Sequence, residues 1–310
     1  MIFPNEQQVN METSSPEQNK IGLGTVQFGL DYGVSNPRGR VAEQEVRRIL
    51  RTAWDSGVRF LDTAAAYGTS EEVLGRTIEP DCCFQIVTKV PKITPEHGSG
   101  EVEPFIRRIF EQSLRRLRAD SVYSLMFHHA DDLLSKVGDE AYTTLQAFKR
   151  DGLIKKIGVS AYTQPQLEAV LKRFKCDLVQ VPVSVLDQRL VQSGYLADLH
   201  RQGMEIHARS VFLQGLLLMQ PEELKPHFTP VRPLLHEFHA EAKRLGVTPL
   251  KLALTYISGI DMISQMIVGV TREEELREIL DAFREPVSTD FGRFAVSEET
   301  MINPALWPTK

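Results

Sequence analysis

Short apolar segments alternate with longer amphipathic segments between residues 20 and 283. The short segments are rich in Val, Ile and Leu without polar alternation, a pattern typical of strands buried on both faces of a parallel sheet. The longer segments carry apolar residues at helical spacing, as Val46, Ile49, Leu50 and Ala53 do on one face of 42–56. The pattern predicts strands at 21–25, 58–61, 84–89, 122–128, 156–160, 178–181, 205–208 and 266–269.

The helices between these strands complete a repeating unit. They are predicted at 42–56, 70–75, 102–117, 141–150, 164–172, 191–202, 235–245, 249–257 and 273–283. Eight strand–helix units in about 265 residues match a (β/α)8 barrel in number and size. We therefore predict an α/β fold, a single (β/α)8 TIM barrel, with a doubly wound sheet as the alternative.

Three regions follow from this reading. The barrel is predicted at 20–285, after a polar arm at 1–19 that we expect to be flexible. A mixed, Pro-containing tail at 286–310 is predicted to pack on the barrel.

The amino-acid composition limits the kinds of binding partner that this protein is expected to have. The formal net charge of −5 and the absence of a basic cluster argue against nucleic-acid binding. No apolar run approaches the roughly 18 residues of a membrane span. Cys82, Cys83 and Cys176 have neither disulfide-framework nor zinc spacing, so we predict no metal site and a cytoplasmic location. We expect a monomer or weak homo-oligomer that acts on a small molecule.

Polar residues or glycines end nearly every predicted strand. Strand carboxyl ends converge on one face of a barrel, which is where barrel enzymes place their chemistry. Asp62 and Lys89 are expected to pair there, because a buried charge is costly without a partner. The strand ends are Thr25, Asp62, Lys89, His128, Ser160, Gln180, Arg209, Ser210 and Gly269.

Tyr67, five residues after Asp62, adds a proton carrier to this set. A phenol has an ordinary pKa of about 10, and a nearby ammonium is expected to lower that pKa. A tyrosine tuned in this way can protonate a carbonyl oxygen while a hydride reaches the carbon. A neutral histidine can orient the same oxygen.

These motifs resemble those of the aldo-keto reductase superfamily over residues 21–283. The run Asp62-Thr63-Ala64-Ala65-Ala66-Tyr67-Gly68 with Ser70-Glu71, the strand ending in Lys89 and the strand ending in His128 match the family's signatures in order. The resemblance implies that Tyr67 is the general acid/base, tuned by Asp62 and Lys89, and that His128 orients the carbonyl. The neighbouring His129 is then a rim residue.

The resemblance also implies a nicotinamide cofactor, NADP(H), with NAD(H) as the alternative. Arg272 would bind the adenosine 2′-phosphate, although Glu273, Glu274 and Glu275 surround it. At the other end, Ala161 replaces the family's usual asparagine after Ser160, and Arg209 replaces a tyrosine that stacks on the nicotinamide. Arg209 can stack there through its planar guanidinium, or it can instead reach an anionic group of the cofactor or substrate. The cofactor-binding set implied is Gly24, Thr25, Asp62, Ser160, Gln180, Arg209, Ser210, Gly269, Thr271, Arg272, Glu275 and Glu278.

The function implied is an NAD(P)(H)-dependent oxidoreductase that reduces an aldehyde or ketone, for example a sugar or other polar carbonyl, or runs the reverse reaction. The loops 28–33 and 211–213 are expected to shape the mouth. Two alternatives stay open at this point. One is a cofactor-binding regulatory subunit with little turnover, and the other is a lyase or isomerase that uses Lys89 as a Schiff base.

Overall fold

The predicted strands pair in parallel, each with the next along the chain, and the last pairs with the first. This computed structural model describes residues 19–34, 36–93, 98, 100–283 and 287–307. The (β/α)8 TIM barrel prediction is confirmed. The strands are β1 (Ile21–Gly24), β2 (Phe60–Asp62), β3 (Gln85–Val90), β4 (Val122–Phe127), β5 (Ile154–Ser160), β6 (Leu178–Pro182), β7 (Glu205–Arg209) and β8 (Gln265–Gly269).

Helices follow the strands and form the outer layer. The α-helices are α1 (Val26–Gly29), α2 (Glu43–Asp55), α3 (Ser70–Thr77), α4 (Val102–Leu117), α5 (Ala130–Leu134), α6 (Gly138–Arg150), α7 (Gln164–Arg173), α8 (Arg189–Gln192), α9 (Tyr195–Arg201), α10 (Arg232–Arg244), α11 (Pro249–Ser258), α12 (Glu273–Phe283) and α13 (Glu299–Ile302). Short 3₁₀ helices occur at Leu213–Leu218, Pro221–Glu223, Pro226–Val231, Gly292–Phe294 and Pro304–Leu306. Among the helices in these ranges, none has the length and apolarity needed to cross a bilayer.

The apolar core has two layers. The larger one lies between strands and helices, while Phe60, Val87, Met126 and Leu178 form a separate cluster that fills the barrel interior. A Cβ on Gly158 would come within 2.7 Å of Met126 Cγ. The glycine therefore makes room for the methionine, as close packing of a barrel interior requires.

One predicted helix is wrong. The segment 191–202 forms two short helices, α8 and α9, instead of one. Gly194, just before α9, has φ +76°, in the left-handed region that glycine adopts without a Cβ penalty. That conformation ends the first helix and redirects the chain into the second.

The tail residues 287–307 contact the barrel's outer elements. The Phe294 ring is 5.5 Å from that of Phe238 in α10, and the Trp307 ring is 4.7 Å from that of Phe228. The predicted arm at 1–19 lies outside the described residues except for Asn19, and so do 284–286 at the predicted junction between barrel and tail. The three-region division therefore stays a prediction.

A polar cluster lies near the amino ends of the strands, opposite the face where the strands finish. The Glu205 carboxylate, at the start of β7, accepts hydrogen bonds from Tyr123 Oη (2.7 Å), His207 Nε2 (2.7 Å) and Lys156 Nζ. Phe60 meets the Tyr123 and His207 rings edge-on. Burial raises the pKa of Glu205, but the hydrogen bonds from His207 and Lys156 outweigh it and lower the pKa from 4.5 to about 2.

We expect Glu205→Gln to destabilise the protein at pH 7 by about 2 kcal/mol, below the cost of breaking a fully buried pair, because the Lys156 side chain is 31% exposed. A carboxylate with a lowered pKa contributes stability above its unfolded pKa and loses it as the pH falls through the folded pKa. The difference from wild type should therefore shrink as the pH falls from 4.5 towards 2. Urea unfolding at several pH values measures it.

The matched control is Glu237→Gln, since Glu237 is an exposed glutamate on α10. Equal stability of the two variants at pH 7 would show that the cluster contributes nothing.

Candidate active site

The carboxyl ends of the strands open into a cleft of about 730 Å³. Every residue of the predicted catalytic and cofactor sets lines it except Lys89, which lies directly behind Asp62. The lining residues from those sets are Gly24, Thr25, Asp62, Tyr67, His128, Ser160, Gln180, Arg209, Ser210, Gly269, Thr271, Arg272, Glu275 and Glu278.

The expected pair of Asp62 and Lys89 is present. Lys89 Nζ lies 2.6 Å from Asp62 Oδ2 and donates a second hydrogen bond to the Thr63 carbonyl at 2.9 Å. Both residues are buried, and Gln180 Nε2 donates to the other carboxylate oxygen, Asp62 Oδ1, at 2.7 Å. Burial lowers the pKa of Lys89, and the Asp62 carboxylate opposes that shift.

Tyr67 is positioned by a close approach of two loops. A Cβ on Gly29, at the end of α1, would lie 1.9 Å from the Tyr67 carbonyl oxygen, so this contact needs glycine. The Tyr67 ring lies 5.2 Å from Lys89 Nζ and meets the His128 ring edge-on, with 5.6 Å between centroids. Tyr67, His128 and the ion pair thus share one end of the cleft.

The pKa of Tyr67 is shifted in the direction opposite to the expectation. Burial and the Asp62 carboxylate raise it above the ordinary phenol value, and Arg209 opposes this only in part. The physical reason is that burial disfavours the charged phenolate, and the nearby Asp62 carboxylate disfavours it further. Tyr67 is therefore protonated at neutral pH, which suits a proton donor.

His128 follows β4 and is a neutral group at physiological pH. Burial, then the Lys89 charge, lowers its pKa from 6.5 to about 3. Its Nδ1 is buried and has no hydrogen-bond partner among the described residues. The adjacent His129 is exposed and lies at the edge of the cleft, in the position predicted for it.

The ends of β1 and β2 are held together by hydroxyl groups. Thr25 Oγ1 donates to the Asp62 carbonyl at 3.0 Å and lies 2.9 Å from Ser70 Oγ, the first residue of α3. The Thr25 side chain, which is predicted to contact the cofactor, thus also hydrogen-bonds to both ends of the loop that carries Tyr67.

Arg209 at the end of β7 has partners that the sequence did not indicate. Its guanidinium lies over the Tyr162 ring, with Cζ 4.0 Å from the centroid, and Nη2 donates to the Ala161 carbonyl at 3.2 Å. The side chain therefore crosses the end of β5 beside Ser160, where the family's asparagine is replaced by alanine.

The far end of the cleft contains the β8–α12 loop. Glu275 accepts a hydrogen bond from the Thr271 backbone N–H at 2.7 Å, and its Oε1 lies 3.3 Å from Arg272 Nε. A second cavity of about 460 Å³ adjoins the first, because Arg38, Thr271 and Arg272 line both. The charged residues of this second cavity are Arg38, Arg40, Arg48, Arg272, Glu45 and Glu274.

Sequence reasoning located the mouth loops but misassigned some of their residues. Phe28 and Leu213, expected at the mouth, are buried in the core. Tyr32 and Phe212 from the same loops do line the cleft. Gln27 was missed altogether, although it lines the cleft and its buried Oε1 has no partner among the described residues. No local pattern distinguishes these positions.

The chain is similar to known proteins over most of its length. L-galactose dehydrogenase of Arabidopsis thaliana is 27% identical over an alignment of 306 residues that covers 93% of this chain and 93% of that one. L-glyceraldehyde 3-phosphate reductase of Escherichia coli is 26% identical over 290 residues, covering 82% of this chain and 83% of that one.

Among solved structures, an aldo-keto reductase from Bacillus halodurans in its holo form superposes with a TM-score of 0.72 at 20% identity, over 90% of this chain and 93% of that chain. A glycerol dehydrogenase from Gluconobacter oxydans gives 0.68 at 22%, over 88% and 89%. At these identities the structural likeness supports the fold.

A comparison with the family as a whole also matches most of the chain. The sequence model of the Aldo/keto reductase family aligns with residues 20–293, which include the whole barrel and every strand-end residue described above. The chain therefore belongs to the aldo/keto reductase family.

Proposed function

We propose that this protein reduces aldehydes or ketones to alcohols, or runs the reverse reaction, with NADP(H) as hydride carrier and Tyr67 as proton donor or acceptor. The observation that carries the proposal is the meeting of Tyr67, His128 and the Asp62–Lys89 pair at one end of one cleft. A protein that only bound a cofactor would need neither a buried lysine nor a protonated phenol there.

The cleft fits a dinucleotide. It runs from Tyr67 and His128 to Arg272, and glycines stand where the neighbouring strands β1 and β8 end, at Gly24 and Gly269. Buried Gln27 Oε1 and His128 Nδ1 are polar atoms without partners among the described residues, which is a common sign of a ligand-binding surface. Ser160 and Gln180 would hold the nicotinamide end.

Each residue then has a defined task. Bound NADP(H) supplies the hydride that reaches the carbonyl carbon. Tyr67 gives its phenolic proton to the carbonyl oxygen, and neutral His128 orients that oxygen. Lys89, fixed by Asp62, lies beside the phenol and stabilises the negative charge that grows on it as the proton leaves.

Supporting observations favour NADP(H) over NAD(H). Arginines outnumber glutamates around the cavity that adjoins the end of the main cleft, and Arg272 lines both spaces. An adenosine 2′-phosphate reaching this point would meet a positive surface. Glu275, the carboxylate beside Arg272, already accepts hydrogen bonds from the Thr271 N–H and from Arg272.

We further propose a polar substrate and a cytoplasmic site of action. Tyr32, His129, Gln214 and Gln220 bring polar groups to the cleft. The two relatives above are named for L-galactose and L-glyceraldehyde 3-phosphate, both polar molecules. The three cysteines are free thiols, which fits a reducing compartment.

Tyr67→Phe should lower kcat for aldehyde reduction by about 10²- to 10⁴-fold, the usual contribution of a general acid. NADPH binding, followed by quenching of protein fluorescence, should be unchanged, since the hydroxyl is removed without changing the ring. Full reductase activity of this variant across a panel of aldehydes and ketones would contradict the mechanism.

The pH profile provides a second test. Tyr67 has a raised pKa and His128 a pKa lowered to about 3, so neither group titrates near neutrality. We expect kcat for reduction to be flat from about pH 5 to pH 9, and kcat for alcohol oxidation, which needs the phenolate, to rise with pH over the same range. A bell-shaped reduction profile centred near pH 6.5 would assign the proton to another group.

Arg272→Gln should weaken NADPH binding by about 10- to 100-fold through the lost charged hydrogen bonds, and leave NADH binding unchanged. The control is Arg277→Gln, an arginine on α12, the helix that begins directly after Arg272, and it pairs with Glu273 outside the cleft. Equal losses for both cofactors, or tighter binding of NADH by wild type, would overturn the NADP(H) assignment.

A further inference from the structure

The charges at the catalytic end of the cleft do not cancel. Lys89 is matched by Asp62 and, at the far end, Arg272 by Glu275. Arg209 has no carboxylate partner among the described residues, although it is half-buried. Its guanidinium contacts the Tyr162 ring, the Ala161 carbonyl and the Ser210 hydroxyl, which are all neutral groups. One positive charge is therefore left over beside the reacting groups.

Arg209 is held in place, not free to swing into solvent. The Tyr162 ring covers one face of the guanidinium, while Nη2 and Nη1 donate to the Ala161 carbonyl and Ser210 Oγ at 3.2 and 3.4 Å. A guanidinium carries five N–H donors, so others stay available. A planar cation fixed in this way is suited to binding a carboxylate or phosphate through two parallel hydrogen bonds.

The position of Arg209 also places that charge beside the chemistry. Arg209, Tyr67 and His128 line the same cleft, and the Arg209 charge acts on both of the other groups. A ligand in this cleft can therefore touch Arg209 with one group and Tyr67 with another.

The loop after Arg209 has an unusual backbone. Among the described residues, positive φ at a non-glycine occurs at Arg118 and at three positions of this loop, Ser210 (59°), Leu213 (47°) and Gln214 (55°). Such conformations cost free energy and cluster at ligand-binding segments. Ser210, Phe212 and Gln214 line the cleft next to Arg209, so the strained segment belongs to its wall.

We propose that Arg209 forms a subsite for an anionic group of the substrate, a carboxylate or a phosphate separated by a few atoms from the reacting carbonyl. The ligand's charge completes an ion pair that the chain leaves open, in a partly desolvated place where such a pair is stronger than in water. The proposal rests on the proposed carbonyl chemistry and narrows its substrates to anionic aldehydes, ketones or alcohols.

The test compares substrates that differ mainly in charge: succinic semialdehyde with butanal, and glyceraldehyde 3-phosphate with glyceraldehyde. Wild type should favour the anionic member of at least one pair in kcat/KM by about 10- to 100-fold, the effect of hydrogen bonds to a charged group. Arg209→Gln should abolish this preference, and Arg209→Lys should keep part of it, because lysine retains the charge but not the fork. The two pairs distinguish a carboxylate from a phosphate.

The result is read as the ratio of kcat/KM between the two substrates of a pair. A general loss of activity or folding in the variant lowers both values and leaves this ratio unchanged. Arg201→Gln, an exposed arginine on α9 that pairs with Asp198, serves as the matched control and should keep the wild-type ratio. An unchanged ratio in Arg209→Gln would overturn the subsite. So would a loss of NADPH affinity with no change in the ratio, since Arg209 would then serve the cofactor.

A binding measurement separates this proposal from the proposed function. Calorimetric titration with succinate or glycerol 3-phosphate, with glycerol as the neutral comparison, needs no turnover. If an anion binds to wild type and Arg209→Gln weakens that binding, the subsite is supported even when no aldehyde is reduced. A lack of aldehyde reduction would contradict only the carbonyl chemistry. Equal anion binding by wild type and Arg209→Gln would overturn the subsite.

Discussion

The end of the cleft that holds Tyr67 and His128 depends on the burial of a lysine ammonium against a carboxylate. The Lys89 side chain is fully inaccessible and that of Asp62 is 6% exposed. An ammonium in such a place costs several kcal/mol unless every donor and oxygen is satisfied. The Thr63 carbonyl accepts a second hydrogen bond from Lys89, and Gln180 donates one to Asp62, so four residues in or directly after three strands act as one polar unit. Loss of either charge would leave the other buried and unpaired.

Burial sets the charge state of the groups around the Lys89–Asp62 pair. It raises the pKa of Tyr67, with the Asp62 carboxylate acting in the same direction, and keeps the phenol protonated. The same burial keeps the His128 imidazole neutral. Arg209, which no carboxylate matches among the described residues, is then the cation open to a ligand. The pairing inside the barrel thus determines which charge faces the cleft.

The fold and most of the side chains that meet in the cleft could be predicted from local patterns, for two physical reasons. Strands buried on both faces show continuous apolar runs, and their ends carry the polar residues that the barrel brings together. Tyr67 and His128 were found from their positions after predicted strands, together with the resemblance to the family's motifs. The patterns failed at 191–202, where a glycine in the left-handed region breaks the helix, and at Phe28 and Leu213, whose burial no spacing reveals.

The sequence by itself determined the barrel, the order of its units and the residues that end its strands. Only the tertiary structure decided the bond from Gln180 to Asp62, the stacking of Arg209 on Tyr162 and the direction of the Tyr67 pKa shift. The reason is that hydrophobic periodicity is local in the chain, whereas these contacts join segments dozens of residues apart. A pKa, moreover, depends on how much water and which charges surround a group, and both are properties of the closed barrel.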